Sequence, residues 1–273
     1  SASIKQRCFL RVSILSMYNC YEAVVWLGSD KEETGKRPQN ALLTTPSIIR
    51  TMIDNLFTVV FMFDQGRFLP NYVWFAKSSY RDAWEELQRY KKDLSQHHEY
   101  IAFFEEELNK YAVGLKEHLQ VTDAEISNPS QLPRWPTISQ ALSRRHGHFR
   151  NLNHACRTFL VWLNDWSYRE VSQIAHHSAW GVSKIGAFFL KESLGKDMRD
   201  RIEGDGIERF RSGQISNALA TILCFASEIN QYYDLDHDDG LRDIWSYLDS
   251  QNVTVIQEAW HVRYKQLLSP QPS

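Results

Sequence analysis

Tyr168, Ser172 and His176 stand four residues apart in the stretch Tyr168-Arg-Glu-Val-Ser-Gln-Ile-Ala-His-His-Ser178. If this stretch is helical, the three side chains fall on one stripe. A phenol, a hydroxyl and an imidazole on an otherwise apolar helix must be hydrogen-bonded, solvated or functional. The imidazole is the group that can carry a proton near neutral pH. A Ser-His nucleophile is a poor reading, because both residues would sit on one helix. No carboxylate stands at fixed spacing, and there is no nucleophile elbow.

A second candidate is Arg50 with Asp54, an i,i+4 pair on an apolar helix that continues as Leu56-Phe57-Thr58-Val59-Val60-Phe61. Such a pair on a surface contributes only about 0.2–0.5 kcal/mol. On a helix buried nearly all round, Asp54 alone leaves several guanidinium donors unmet, so Arg50 needs a further partner. A guanidinium with free donors suits an anionic ligand, including a phosphate.

Basic residues near the same segment extend the anion reading. Arg150, His154 and Arg157 are spaced i, i+4, i+7, with Arg144, Arg145, His146, His148, Asn151 and Asn153 close by. The alternative is a solvated helix end. Arg169 and His176 are separated by six residues. This is similar to the Arg–His spacing of the HEPN (higher eukaryotes and prokaryotes nucleotide-binding) helical ribonuclease superfamily, which implies that Arg169 and His176 would act at a scissile RNA phosphate. About two such spacings are expected by chance in this composition, and one occurs. Glu170 follows the Arg where that superfamily favours a small polar residue.

No metal is expected. No Glu-x-x-His pair of the di-metal bundle type is present. Asp234-x-Asp236-x-Asp238 fails as a calcium loop, because Asp239 replaces the glycine and Trp245 occupies the place of the bidentate Glu. No cofactor is expected either. Cys8, Cys20, Cys156 and Cys224 form no Cys-x-x-Cys pair and read as buried free thiols.

The elements that must carry these residues read as helices. The 273 residues include 43% hydrophobic residues and 9 Trp, but only 12 Gly and 8 Pro. That is core material with few breakers. Helices are expected over Ile4–Leu27, from a Thr45 cap to about Asp64, and over Tyr72–Leu94 and Glu99–Leu119. An ordered loop follows to Pro136, and a Thr137/Gln140 capping box opens a short helix to Arg145. Further helices are expected over Asn151–His177, after Gly181 to Leu194, and over Glu208–Tyr233. An acidic turn to Gly240 precedes two last helices to Leu268. No strand alternation and no internal repeat are seen.

The fold class is therefore all-α, a multi-helix bundle of about eight to ten helices. One domain over residues 1–273 is expected, with a possible helical-hairpin insertion at 70–120. Ile48–Phe63 is interrupted by Arg50, Asp54 and Asn55 and is expected to be a buried helix, too short to cross a bilayer. Ser1-Ala2-Ser3 reads as a truncated start without a secretory signal. Net charge near −2 gives no global excess for nucleic acid. A cytoplasmic location is expected. Oligomeric state is open: exposed aromatics near Trp245 and Trp260 could pack a dimer face, but scattered aromatics also serve a monomer core.

Three blocks together resemble a bacterial all-helical family of unknown function. They are Arg50 with Asp54, Trp135 with Ser139 and Leu142, and Tyr168-x-x-x-Ser172-x-x-x-His176-x-Ser178. The resemblance spans about Pro46 to Leu194, with Asp54 where that family has Glu. It implies a shared polar centre in which Arg50, Asp54, Tyr168, Ser172 and His176 face one another across two helices, with Arg50 as anion clamp, His176 as proton carrier and Asp54 accepting from His176 or Tyr168, and an association with defence or stress loci. It names no substrate. The expected function is a polar pocket between helices that binds a nucleotide or RNA phosphate. As an enzyme it would be a metal-independent phosphodiesterase or ribonuclease. The alternative is a non-enzymatic scaffold in which the same residues form a buried network that fixes helix register.

Overall fold

The computed structural model describes residues 2–28, 43–63, 66–93, 96–143, 154–176 and 207–269. Among these residues there are helices and no strands, and eight of the helices are seven residues or longer. The all-α bundle class expected from composition is the class observed. The helical stretch expected over 181–194 and the turn over 195–206 lie outside the described residues.

The chain divides into two compact units, residues 1–61 with 144–273, and residues 62–143. The hairpin expected at 70–120 falls within the second.

In the first unit, α1 (Ala2–Gly28) packs along α9 (Ile207–Tyr233). A Cβ placed on Gly28 would stand 2.8 Å from Ile215 Cδ1, so the helices approach closely there because this residue lacks a side chain. α2 (Thr45–Phe63) already includes Thr45, which is therefore the first helical residue rather than a cap. Ile49, Met52, Ile53, Leu56, Val59 and Val60 on α2 are fully buried, each contributing about 1.5–3 kcal/mol relative to an exposed position. α2 runs 19 residues and is long and apolar enough to cross a membrane by length and composition, although 61% of its most apolar 18-residue window is buried inside the structure.

α7 (His154–Leu163) runs through a π turn (Asn164–Tyr168) into α8 (Arg169–Ala175). The expected single helix is therefore present with one wide turn inside it. After α9, Asp234 and Asp236 take left-handed backbone angles of φ 49° and 57°, so the acidic turn closes within four residues. α10 (Asp238–Ser250) follows, then α11 (Thr254–Ala259). A second π turn (Trp260–Tyr264) leads into α12 (Lys265–Leu267). Of the two roles open to the aromatics here, Trp245 and Trp260 take the core one. Trp245 is fully buried and Trp260 is 5% exposed, because the Trp245 ring stacks between Trp260 and Tyr264 and its Nε1 donates to Ser227 Oγ at 3.0 Å.

In the second unit, α3 (Phe68–Asp93) packs against α4 (His98–Leu119). Tyr80 and Leu87 meet Ile101, Leu108 and Leu115 in their shared core. Pro70 does not break a helix. It lies in the first turn of α3, where a missing N–H costs nothing. The break comes at Gly66, with φ 68°. The stretch expected as loop contains α5 (Asp123–Ser127), opened by a Thr122/Glu125 capping box. Glu125 also pairs with Lys77 of α3. The Thr137/Gln140 box forms both of its hydrogen bonds and opens α6 (Ile138–Leu142).

Candidate active site

The two polar stripes meet. Arg50, one and a half turns into α2, reaches across to the end of α8, where its Nη1 contacts His176 Nε2 and lies 3.5 Å from Nδ1. A guanidinium has donors only, so the imidazole takes part in this contact as an acceptor. The same guanidinium carbon sits 5.8 Å from the centroid of the Tyr168 ring, within reach of a cation–π attraction. Arg50 Nε is 3.8 Å from Asp54 Oδ2, and this Nε is buried without a hydrogen-bond acceptor. Arg50 thus has the additional partners that its position on an apolar helix demanded.

The electrostatics follow from partial burial. Burial pushes the Asp54 carboxyl pKa above the ordinary aspartate value, against the opposing pull of the Arg50 charge and a Tyr168 hydrogen bond. The Tyr168 phenol is raised by burial and by the neighbouring Asp54 charge, with Arg50 acting the other way. Asp54, Tyr168 and Arg50 are therefore electrostatically one group. Phe57, one turn beyond Asp54, sets its ring edge-on to Tyr168 at 6.2 Å and fixes the phenol against α2.

His176 is exposed, while Arg50, Asp54, Tyr168 and Ser172 are half-buried. The cluster is open to solvent rather than sealed. Ser172 lies between Tyr168 and His176 on the stripe. Its carbonyl accepts from the His176 N–H at 3.0 Å, and its hydroxyl makes no hydrogen bond among the described residues.

The flanking basic residues are placed differently. Arg169 turns to Asp165 at 3.4 Å in an exposed i,i+4 ion pair, one position round the helix from Tyr168. His154 and Arg157 lie on α7. Arg157 precedes Tyr168 by roughly 16 Å of helix rise, so the two basic residues form a separate patch. Arg150, with Arg144, Arg145, His146, His148, Asn151, Asn153, His177 and Ser178, lies outside the described residues. Among the described residues no group of three His, Cys, Asp or Glu side chains could hold a metal ion. All four cysteines are free thiols; Cys156 and Cys224 are buried, but Cys8 is exposed, against the expectation of burial.

One polar cluster had no sequence signal. Glu228 on α9 is fully buried and accepts from Arg263 Nε and Nη2 at 2.5 and 2.8 Å and from the Tyr264 hydroxyl at 3.0 Å. Burial and the Glu228 charge push the Tyr232 phenol far above its usual value. Both donors of the pair to Glu228 come from the second π turn. Glu228 is the single acid among Ala226, Ser227, Ile229 and Asn230, but nothing in its spacing announces a partner 35 residues away.

Comparison with protein-family models, curated proteins and solved structures finds no match to this chain.

Proposed function

We propose that Arg50, Tyr168, His176 and Asp54 form a phosphate-recognition site for a nucleotide or RNA. In its catalytic form the site is a metal-independent phosphodiesterase in which His176 moves the proton and Arg50 holds the anion. The observation that carries this reading is the contact between Arg50 and His176, which joins residues 126 positions apart at a solvent-open end of α8. A phosphate oxygen is a charged acceptor and makes a stronger, bidentate match to a guanidinium than a neutral ring nitrogen does. An arriving phosphate would take the Arg50 donors and release His176 Nε2 to act as base toward a nearby hydroxyl. Asp54 would keep Arg50 oriented, and Tyr168 would offer its face to the guanidinium and its hydroxyl to the ligand.

RNA cleavage and nucleotide-induced thermal shift are measured for wild type, His176→Ala, Arg50→Ala and Arg50→Lys. Loss of the base lowers cleavage by about 10²–10⁴-fold, and loss of the anion clamp by about 10²–10³-fold. Arg50→Lys retains charge without the fork and keeps part of the binding. Equal cleavage in all four proteins sinks the nuclease form. Absence of any nucleotide shift in wild type sinks phosphate recognition as well. Loss of folding in both alanine variants would instead mark the contact as a scaffold that ties α2 to α8.

A further inference from the structure

A cavity of about 560 Å³ lies in the first unit, walled by α1, α9 and α10. It shares no residue with the Arg50–His176 site. Its walls are aliphatic: Ile14 and Met17 from α1, Ile222 and Ile229 from α9, and Leu241 and Ile244 from α10. Its size falls in the range of small-molecule pockets, roughly 300–1,000 Å³. The polar lining is gathered at one end, where α9 turns into α10, in Asn230, Asp236 and His237.

The polar groups at that end are not equally available. Asn230 is committed within the fold, its Nδ2 donating to Asp238 Oδ1 at 2.5 Å and its Oδ1 accepting from the His237 N–H at 3.0 Å. Tyr18 on the wall is likewise spent, donating its hydroxyl to Glu22. Asp236 differs. It lies in the cavity lining, it is exposed, and its carboxylate makes no hydrogen bond among the described residues. The cavity thus offers an apolar body and one uncommitted carboxylate at its polar end.

We infer that this cavity binds a small amphipathic amine, with its hydrocarbon part against Ile222, Ile229 and Ile244 and its ammonium on Asp236. An apolar wall selects for the hydrocarbon. An acceptor-only carboxylate selects a donor head over an anionic one, since a second carboxylate there would meet like charge without a proton to share.

The test uses the full chain and three probes of equal length, octylamine, octanol and octanoate, with affinities read by titration calorimetry. Octylamine should bind at least tenfold tighter than octanoate, with octanol between. Asp236→Asn should abolish the amine preference while leaving octanol affinity within about twofold. Ala226→Phe, which places a ring in the cavity, should remove binding of all three. If Ala226→Phe does not fold, the Asp236→Asn comparison decides alone. Equal affinity for octylamine and octanoate, an unchanged preference in Asp236→Asn, or full octylamine binding by folded Ala226→Phe would overturn the inference.

Discussion

Glu228→Gln tests most directly what holds the first unit together. The substitution preserves volume, so no cavity forms. It replaces the charge that meets Arg263, and turns one accepting oxygen toward the guanidinium into an N–H donor. Arg263 is 8% exposed and Glu228 fully buried, so water cannot substitute. Burial alone would lower the pKa of Arg263, and Glu228 more than offsets this. Leaving one buried charge of such a pair alone costs about 3–5 kcal/mol. Glu228→Leu also takes an acceptor from the buried Tyr264 and Tyr232 hydroxyls, about 1–3 kcal/mol for each one left unpaired. Removing both charges together, as Glu228→Leu with Arg263→Met, leaves chiefly those hydroxyls and a modest packing mismatch. The double variant should therefore lose well under the sum of its singles, and adding Tyr264→Phe should recover part of the loss. Against a typical domain stability of about 5–15 kcal/mol, these differences are large in urea unfolding at pH 7. The readouts are circular dichroism and tryptophan fluorescence, since Trp245 lies in this core, and unchanged urea slopes would license the comparison. Glu228→Gln costing under about 1 kcal/mol, or a double variant as unstable as the sum of its singles, would refute the reasoning.

Three further outcomes are expected. The Asp54 carboxyl, followed by carbon NMR, should titrate above the ordinary aspartate value of 3.8 and move higher still in Arg50→Ala. A raised folded pKa means its contribution to stability is present below the unfolded value and lost as pH rises through the folded one, so wild type should lose ground to Asp54→Asn over that interval. Thr122→Ala should cost about 1 kcal/mol in chemical unfolding of residues 62–143, because it opens the box that satisfies the first turn of α5. Gly28→Ala should destabilise by about 1–3 kcal/mol despite its higher helix propensity, since its methyl meets Ile215. A more stable Gly28→Ala in thermal melts would show that α1 and α9 part easily.

Much of this was legible from the chain. The four-residue spacing of Tyr168, Ser172 and His176 marked one polar stripe, and the unmet donors of an arginine on the apolar run from Ile48 marked a residue in need of further partners, but neither said that the two meet. The Thr137/Gln140 box marked the start of α6 to the residue, because a cap is written in adjacent letters, whereas the end falls at Leu142 rather than Arg145. The Thr122/Glu125 box carried the same letters and went unread beside Asn128-Pro129. The burial of Trp245 and the pairing of Glu228 with Arg263 were not legible, since periodicity shows which face is apolar but not what covers it. The π turns were also invisible, because each adds one residue to a helix without changing its composition.

The π turn at Asn164–Tyr168 has a consequence for aim. The N–H of Arg169 bonds to Asn164 O rather than one residue later, so the turn holds one residue more than an α-turn would. Had the same letters wound uniformly, everything from Arg169 onward would be turned by about 100° relative to α7. His176 would then face away from Arg50. The pairing is a matter of phase, set by residue count within one turn. Losing a single residue among 164–167 lets that turn tighten and keeps the bearing of His176. Losing one between 169 and 175 swings the imidazole off its target with no change in any contacting side chain.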